Sequence, residues 1–170
     1  MSIQSSFFSA DHDDNLFATS HAGERALNRA IVSAEISRSF EKYIEIFERF
    51  YAEDIEVSSA TSTGQIRGKA RVRSLLYNFL VPLHVMAEIE GLSVSIRHIT
   101  MPGDAADETH SAWTLDLVGV SGRRCTVSWR TLRTWKDSLV AYEHHYDEQQ
   151  SGGPLTEDDL AISQYARGLA

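Results

Sequence analysis

Apolar side chains recur at spacings of three and four through Phe40, Tyr43, Ile44, Phe47, Phe50 and Tyr51. That period predicts a helix with one buried face. A weaker stripe through Leu27, Ile31, Ala34 and Ile36 predicts an earlier helix from Glu24 to Ser37, with a bend near Arg38 and Ser39 between the two. Ile55 to Ala60 reads as a short strand and TSTGQIRG as a turn. Val72, Leu75, Leu76, Phe79 and Leu80 then mark a third helix, which begins at Gly68 and is stopped by Pro82. Beyond Pro82 the period changes to two. Strands are expected over Val85 to Ile99 with a bulge at Gly91, Thr109 to Val120, Arg123 to Trp135 and Leu139 to Asp147. The order predicts an α+β fold in which N-terminal helices pack on a strongly curved antiparallel sheet. Residues 1–20 lack periodicity and read as a flexible arm, 21–150 as the domain, and 151–170 as a tail with a short helix starting at Thr156.

Alternation also sorts the faces of the sheet. Placing Trp113, Leu115 and Leu117 with Cys125, Val127 and Trp129 makes one face consistently apolar, and the opposite register would mix both. A tight turn at Asp137 and Ser138 then sets Trp135 beside Val140, Arg133 near Tyr142, Thr131 near His144 and Trp129 near Tyr146. The apolar face is thereby interrupted by a polar patch of Thr131, Arg133, Tyr142 and His144. A buried charge costs several kcal/mol, roughly, so such a patch is paired, wet or facing a ligand. Slipping the register by one instead turns Glu143, His145 and Asp147 inward.

Composition narrows the classes. The 170 residues are 42% hydrophobic and 24% charged, ordinary for one globular domain. A net charge of −8 lacks the basic face that nucleic acid or an anionic membrane requires, so neither is an expected partner. The single cysteine, Cys125, excludes an intramolecular disulfide, and no apolar run is long enough to span a bilayer. The N-terminus also lacks the pattern of a signal peptide. A cytoplasmic protein is the expectation.

The stretch FERFYAEDIEV (residues 47–57), followed by GKARVRSLL (68–76), long strands and RTWKDSLVAYEHHYD (133–147), resembles the SnoaL-like branch of the nuclear-transport-factor-2-like superfamily over roughly residues 24–147. The resemblance implies a cone-shaped α+β fold with a central pocket between helices and sheet. It also implies an activity drawn from isomerases, polyketide cyclases, dehydratases, epoxide hydrolases or non-catalytic binding domains. Where ketosteroid isomerases carry an aspartate after the first strand this chain has Ser59, and their sheet-borne acid falls at Thr131. The usual isomerase mechanism is therefore not expected.

Of seven histidines, His144 is the expected base, because an imidazole titrates near neutrality and its face holds Arg133 and Tyr142. Arg133 would bind an enolate or carboxylate, and Tyr142 or Tyr146 would donate to an oxyanion. Ser59, Trp113, Trp129, Thr131 and Tyr146 complete the expected ligand contacts. Packed core residues would produce the same pattern. No HxH, HExxH or CxxC spacing and no GxGxxG appears, so neither a metal nor a cofactor is expected. Two functions follow: a lyase, isomerase or cyclase acting on a small hydrophobic cyclic or polyketide-like molecule, or a non-catalytic ligand-binding or assembly module, homodimeric through the outer sheet face.

Overall fold

The computed structural model describes residues 10–37, 39–60, 64–74, 93–119 and 122–152. Two helices, α1 (Ala10–Ser37) and α2 (Phe40–Phe50), precede six strands: β1 (Tyr51–Ser59), β2 (Ile66–Arg67), β3 (Ser93–Pro102), β4 (Glu108–Val118), β5 (Arg124–Lys136) and β6 (Leu139–Gly152). The strands form one curled, unclosed sheet in the order β2-β1-β6-β5-β4-β3. Among the described residues β1 and β6 run parallel and the other paired strands antiparallel. This is the α+β arrangement that the periodicity predicts.

The helices begin and end for local reasons. Ser39 caps α2, its hydroxyl accepting from the Lys42 amide, and its extended backbone makes the bend expected there. Tyr51 leaves the helix as its C-cap and opens β1. A core of Leu27, Ala34, Tyr43, Ile46, Phe47, Phe50, Tyr51, Ile55, Val72, Trp135 and Val140 seals both helices against the β1–β6–β5 part of the sheet. Trp113 pairs with Trp129, Leu115 with Val127 and Leu117 with Cys125, the register that the apolar alternation requires.

Three expectations change. The chain is helical from Ala10, well before Glu24 and within the stretch read as an arm, because Ser20, Glu24, Leu27 and Asn28 are buried and hold the helix to the sheet. Ile66 and Arg67, read as part of a turn, form a two-residue edge strand on β1. Most consequential is the β5–β6 register. Trp135 faces Val140 as expected, but Ala141 is an extra residue, so Thr134 faces Tyr142, Arg133 faces Glu143 and Thr131 faces His145. A second bulge, with Asp147 at φ 51, separates the Arg130–Tyr146 pair from the Ser128–Gln149 pair.

The third helix is seen over 69–74. Its remainder, the part of the expected strand before Ser93 and the C-terminal helix all lie outside the described residues.

Candidate functional site

Each inner row of the sheet has its own chemistry, because alternate residues of neighbouring strands stand side by side. Nearest the helices, Val57, Glu143, Arg133 and Thr109 form a charged row. The next row is Ser59, His145, Thr131, Ser111 and Thr100. Above it stand Trp129, Trp113 and His98, and beyond those Val127, Leu115 and Ile96.

In the charged row Arg133, 3% exposed, lies between two buried carboxylates. Its Nη1 donates to Glu24 Oε1 at 2.7 Å and to Asn28 Oδ1 at 3.0 Å, and its Nε donates to Glu143 Oε2 at 2.6 Å. Glu24 also accepts from Thr109 Oγ1 at 2.9 Å and from Ser111 Oγ at 2.5 Å. Tyr51 donates its hydroxyl to Glu143 Oε2 at 2.9 Å. Helix α1 contributes Glu24 and Asn28 because they share its buried stripe with Leu27 at the spacing i, i+3, i+4.

Burial alone would raise the Glu143 carboxyl, yet the Arg133 charge and the hydrogen bond and charge of His145 outweigh it. They hold that carboxyl well below the usual carboxylate range. Burial would likewise lower Arg133, and Glu24 and Glu143 overcome it. Burial and the Glu143 charge together push the Tyr51 hydroxyl up, so it stays a donor.

His145 Nε2 lies 2.7 Å from Glu143 Oε1. An ionised Glu143 only accepts, so Nε2 carries the hydrogen, and in the neutral imidazole the lone pair is then on Nδ1. On one side His145 has Ser59 as its strand partner and on the other Thr131. Thr131 is fully buried, and its Oγ1 has no hydrogen-bond partner. Trp113, 3% exposed, has an equally unpartnered Nε1. The Trp113 and Trp129 rings are 6.0 Å apart and within 9° of parallel, and His98 packs on Trp113 at 5.1 Å. Burial lowers the His98 imidazole, which favours its neutral form.

The structure therefore brings together Arg133, Thr131, Trp113, Trp129 and Ser59, and parts them from His144, Tyr142 and Tyr146. The last three point to the outer face, because the Ala141 bulge inverts the alternation of β6. There they form a column, Tyr142 to His144 at 6.4 Å and His144 to Tyr146 at 5.9 Å between ring centres. Ser58 Oγ lies 2.7 Å from His144 Nδ1 and 2.9 Å from the Tyr142 hydroxyl, and His110 Nδ1 lies 2.8 Å from the Tyr146 hydroxyl. The pairing of Arg133 with Tyr142 and of Thr131 with His144 is thus corrected to Glu143 and His145. Those two residues leave the outer face on which the turn had placed them. Among the described residues no cluster of three or more His, Cys, Asp or Glu is placed to hold a metal.

No family model and no curated protein matches the sequence. Solved structures similar to it include SnoaL-like, nuclear-transport-factor-2-like and ketosteroid isomerase proteins. A candidate SnoaL-like polyketide cyclase from Mesorhizobium loti has 19% identity over 66% of this chain and 97% of its own, with a TM-score of 0.41. A nuclear-transport-factor-2-like protein of unknown function from Burkholderia xenovorans has 13% identity over 74% and 83%, with a TM-score of 0.47. The Δ5-3-ketosteroid isomerase from Mycobacterium sp. has 15% identity over 74% and 96%, with a TM-score of 0.48.

Proposed function

We propose that this chain binds a small hydrophobic cyclic molecule on the inner face of its sheet and acts on it by acid–base chemistry of the lyase, isomerase or cyclase type. His145 is the base and Glu143 the residue that positions it. The observation that carries this reading is the His145–Glu143 contact of 2.7 Å, with Glu143 anchored on the far side by Arg133 at 2.6 Å. A buried carboxylate fixed from behind sets the tautomer and plane of the imidazole and leaves Nδ1 to take a proton from a ligand C–H or O–H. The support is this side-chain arrangement, since one fold hosts many activities.

The test follows proton exchange rather than a named reaction. Cyclic ketones and enones are incubated with the protein in D2O, and deuterium at the carbon beside the carbonyl is read by NMR. The parent is expected to exchange at least about 100-fold faster than His145→Ala, the usual scale of general-base catalysis. Equal rates in the two proteins, at matched thermal stability, would refute the assignment.

A second reading, an assembly module that dimerises through the outer face, is favoured by Ile99. This is a large apolar residue, 68% exposed, whose strand partner is Ala112. The charged side chains nearby, Arg97 with Asp116 and Arg130 with Asp147, are paired at 2.7 and 3.6 Å, so two such faces could meet without stranding a charge.

A further inference from the structure

Most polar atoms of the inner face are satisfied. Asn28 Nδ2 donates to Ser111 Oγ and Thr100 Oγ1, Trp135 Nε1 donates to Thr109 Oγ1, and the charged row is closed on itself. Among the described residues of this face, Trp113 Nε1 and Thr131 Oγ1 have no partner, and both are buried. Leaving such a group unbonded forfeits its hydration with nothing in return, so a native fold rarely leaves two so close together. They are close: Ser111 and Trp129 are the strand partners of Thr131 and Trp113, which makes Thr131 and Trp113 diagonal neighbours about 7–8 Å apart along the sheet.

We infer that Trp113 Nε1 and Thr131 Oγ1 form an oxygen-recognition subsite, and that the ligand is a flat cyclic molecule bearing a carbonyl or comparable acceptor oxygen. This deepens the reading above and rests on it.

The chemistry of the two groups limits the ligand. An indole N–H only donates, so its complement must accept, which excludes an ammonium group and a bare hydrocarbon. A threonine hydroxyl donates or accepts, so it tolerates the same oxygen or a second one. Trp113 and Trp129 offer nearly parallel ring planes and His98 a neutral imidazole, surfaces that suit a ring lying along them. Thr131 is also the strand partner of His145, so an oxygen held there brings the neighbouring carbon toward the basic Nδ1. The donors would then bear on the oxygen that gains charge when that carbon loses its proton. Buried water is the competing occupant of the two atoms.

A matched pair of probes separates these cases. Tetralin and 1-tetralone have the same two-ring frame and differ by one carbonyl oxygen. Their dissociation constants are measured on the parent, Trp113→Phe, Thr131→Val and the double variant, with the indole N–H resonance of Trp113 followed in parallel. The parent is expected to bind the ketone at least tenfold more tightly than the hydrocarbon and to shift that resonance only with the ketone. In the double variant the preference for the ketone over the hydrocarbon should vanish, whatever the change in tetralin affinity itself. If tetralin and 1-tetralone bind the parent equally, or the double variant keeps the preference, the subsite is overturned and the pocket reading stands. Binding of neither compound at millimolar concentration overturns both. If Thr131→Val lowers the melting temperature of the free protein, water or a protein group already satisfies the hydroxyl, and the subsite falls.

Discussion

Arg133 faces two carboxylates where almost no water reaches, and the balance of charge there sets how the protein responds to mutation. Replacing it with Met fills much of the same volume but leaves Glu24 and Glu143 buried without a cation. Breaking a buried pair from one side costs about 3–5 kcal/mol, and Arg133→Met should lower urea stability by that order. A loss below about 1 kcal/mol would mean that the carboxylates take up protons or water easily. Glu143 gives the pH counterpart. Its carboxyl is depressed in the folded state, so its contribution to stability is complete above the ordinary carboxylate value of about 4.3 and fades as pH falls through the lower folded value. The parent should therefore lose urea stability steeply below about pH 4, whereas Glu143→Gln, already less stable at pH 7, should lose less over the same interval. Parallel acid slopes for the two proteins would show that Glu143 is not the group responsible. Part of this site is legible in sequence: Arg133, with Thr131 in the next row, interrupts an otherwise apolar face. Glu24 and Asn28 escape that reading, although with Leu27 and Ile31 they complete an i, i+3, i+4, i+7 stripe, and a charged residue on that stripe was the available signal.

At the scale of elements, the β5–β6 hairpin decides which histidine meets the site. The stretch Tyr142 to Tyr146 reads Tyr-Glu-His-His-Tyr, with no aliphatic side chain on either face, so apolar periodicity does not decide between the two. The two-residue turn gave the correct pairing only as far as Trp135 and Val140, and Ala141 then shifted the rest by one. A bulge leaves no mark in composition; the need of a buried Arg133 for a carboxylate opposite was the one clue that favoured Glu143. The same hairpin carries strain that can be relieved. Asp137 and Ser138 sit at φ 51 and 65, the left-handed pair of a type I′ turn for which Asn-Gly is the favoured sequence. Asp137→Asn with Ser138→Gly should raise urea stability by about 1 kcal/mol. Helix α1 offers the opposite case at Gly23. Alanine is the better helix former by about 1 kcal/mol, yet a Cβ there would lie 2.8 Å from the buried Trp135 ring. Overpacking costs typically 1–3 kcal/mol, roughly, so Gly23→Ala should destabilise the protein in spite of propensity. A higher midpoint would show that the indole yields.

For the whole molecule, the pattern of periods carried the architecture because each period has one structural meaning: a three-four stripe buries one side of a helix, and a period of two buries one side of a strand. It placed Trp113 against Trp129 and both helices against the sheet. The pairing of β1 with β6 escaped it, since parallel pairing of strands far apart in sequence leaves no local trace. That pairing sets Ser59 next to His145 and extends the inner row beyond the proposed base. On the assembly reading, the outer face is the place where the molecule would meet a second copy. Ile99 and the Tyr142–His144–Tyr146 column supply the apolar and aromatic contacts that stable interfaces favour. Each chain carries a net charge of −8, which opposes association of two copies and is screened by salt over about 10 Å at 0.1 M. Sedimentation should accordingly show a dimer whose dissociation constant falls as salt rises from 0.02 to 0.5 M, roughly, because screening relieves the repulsion while apolar burial remains. Ile99→Asp should shift that equilibrium to monomer without moving the 1-tetralone affinity, since its side chain lies on the other face from Trp113 and Thr131. A protein that sediments as a monomer at every salt concentration would remove the assembly reading and leave the inner face as the functional surface.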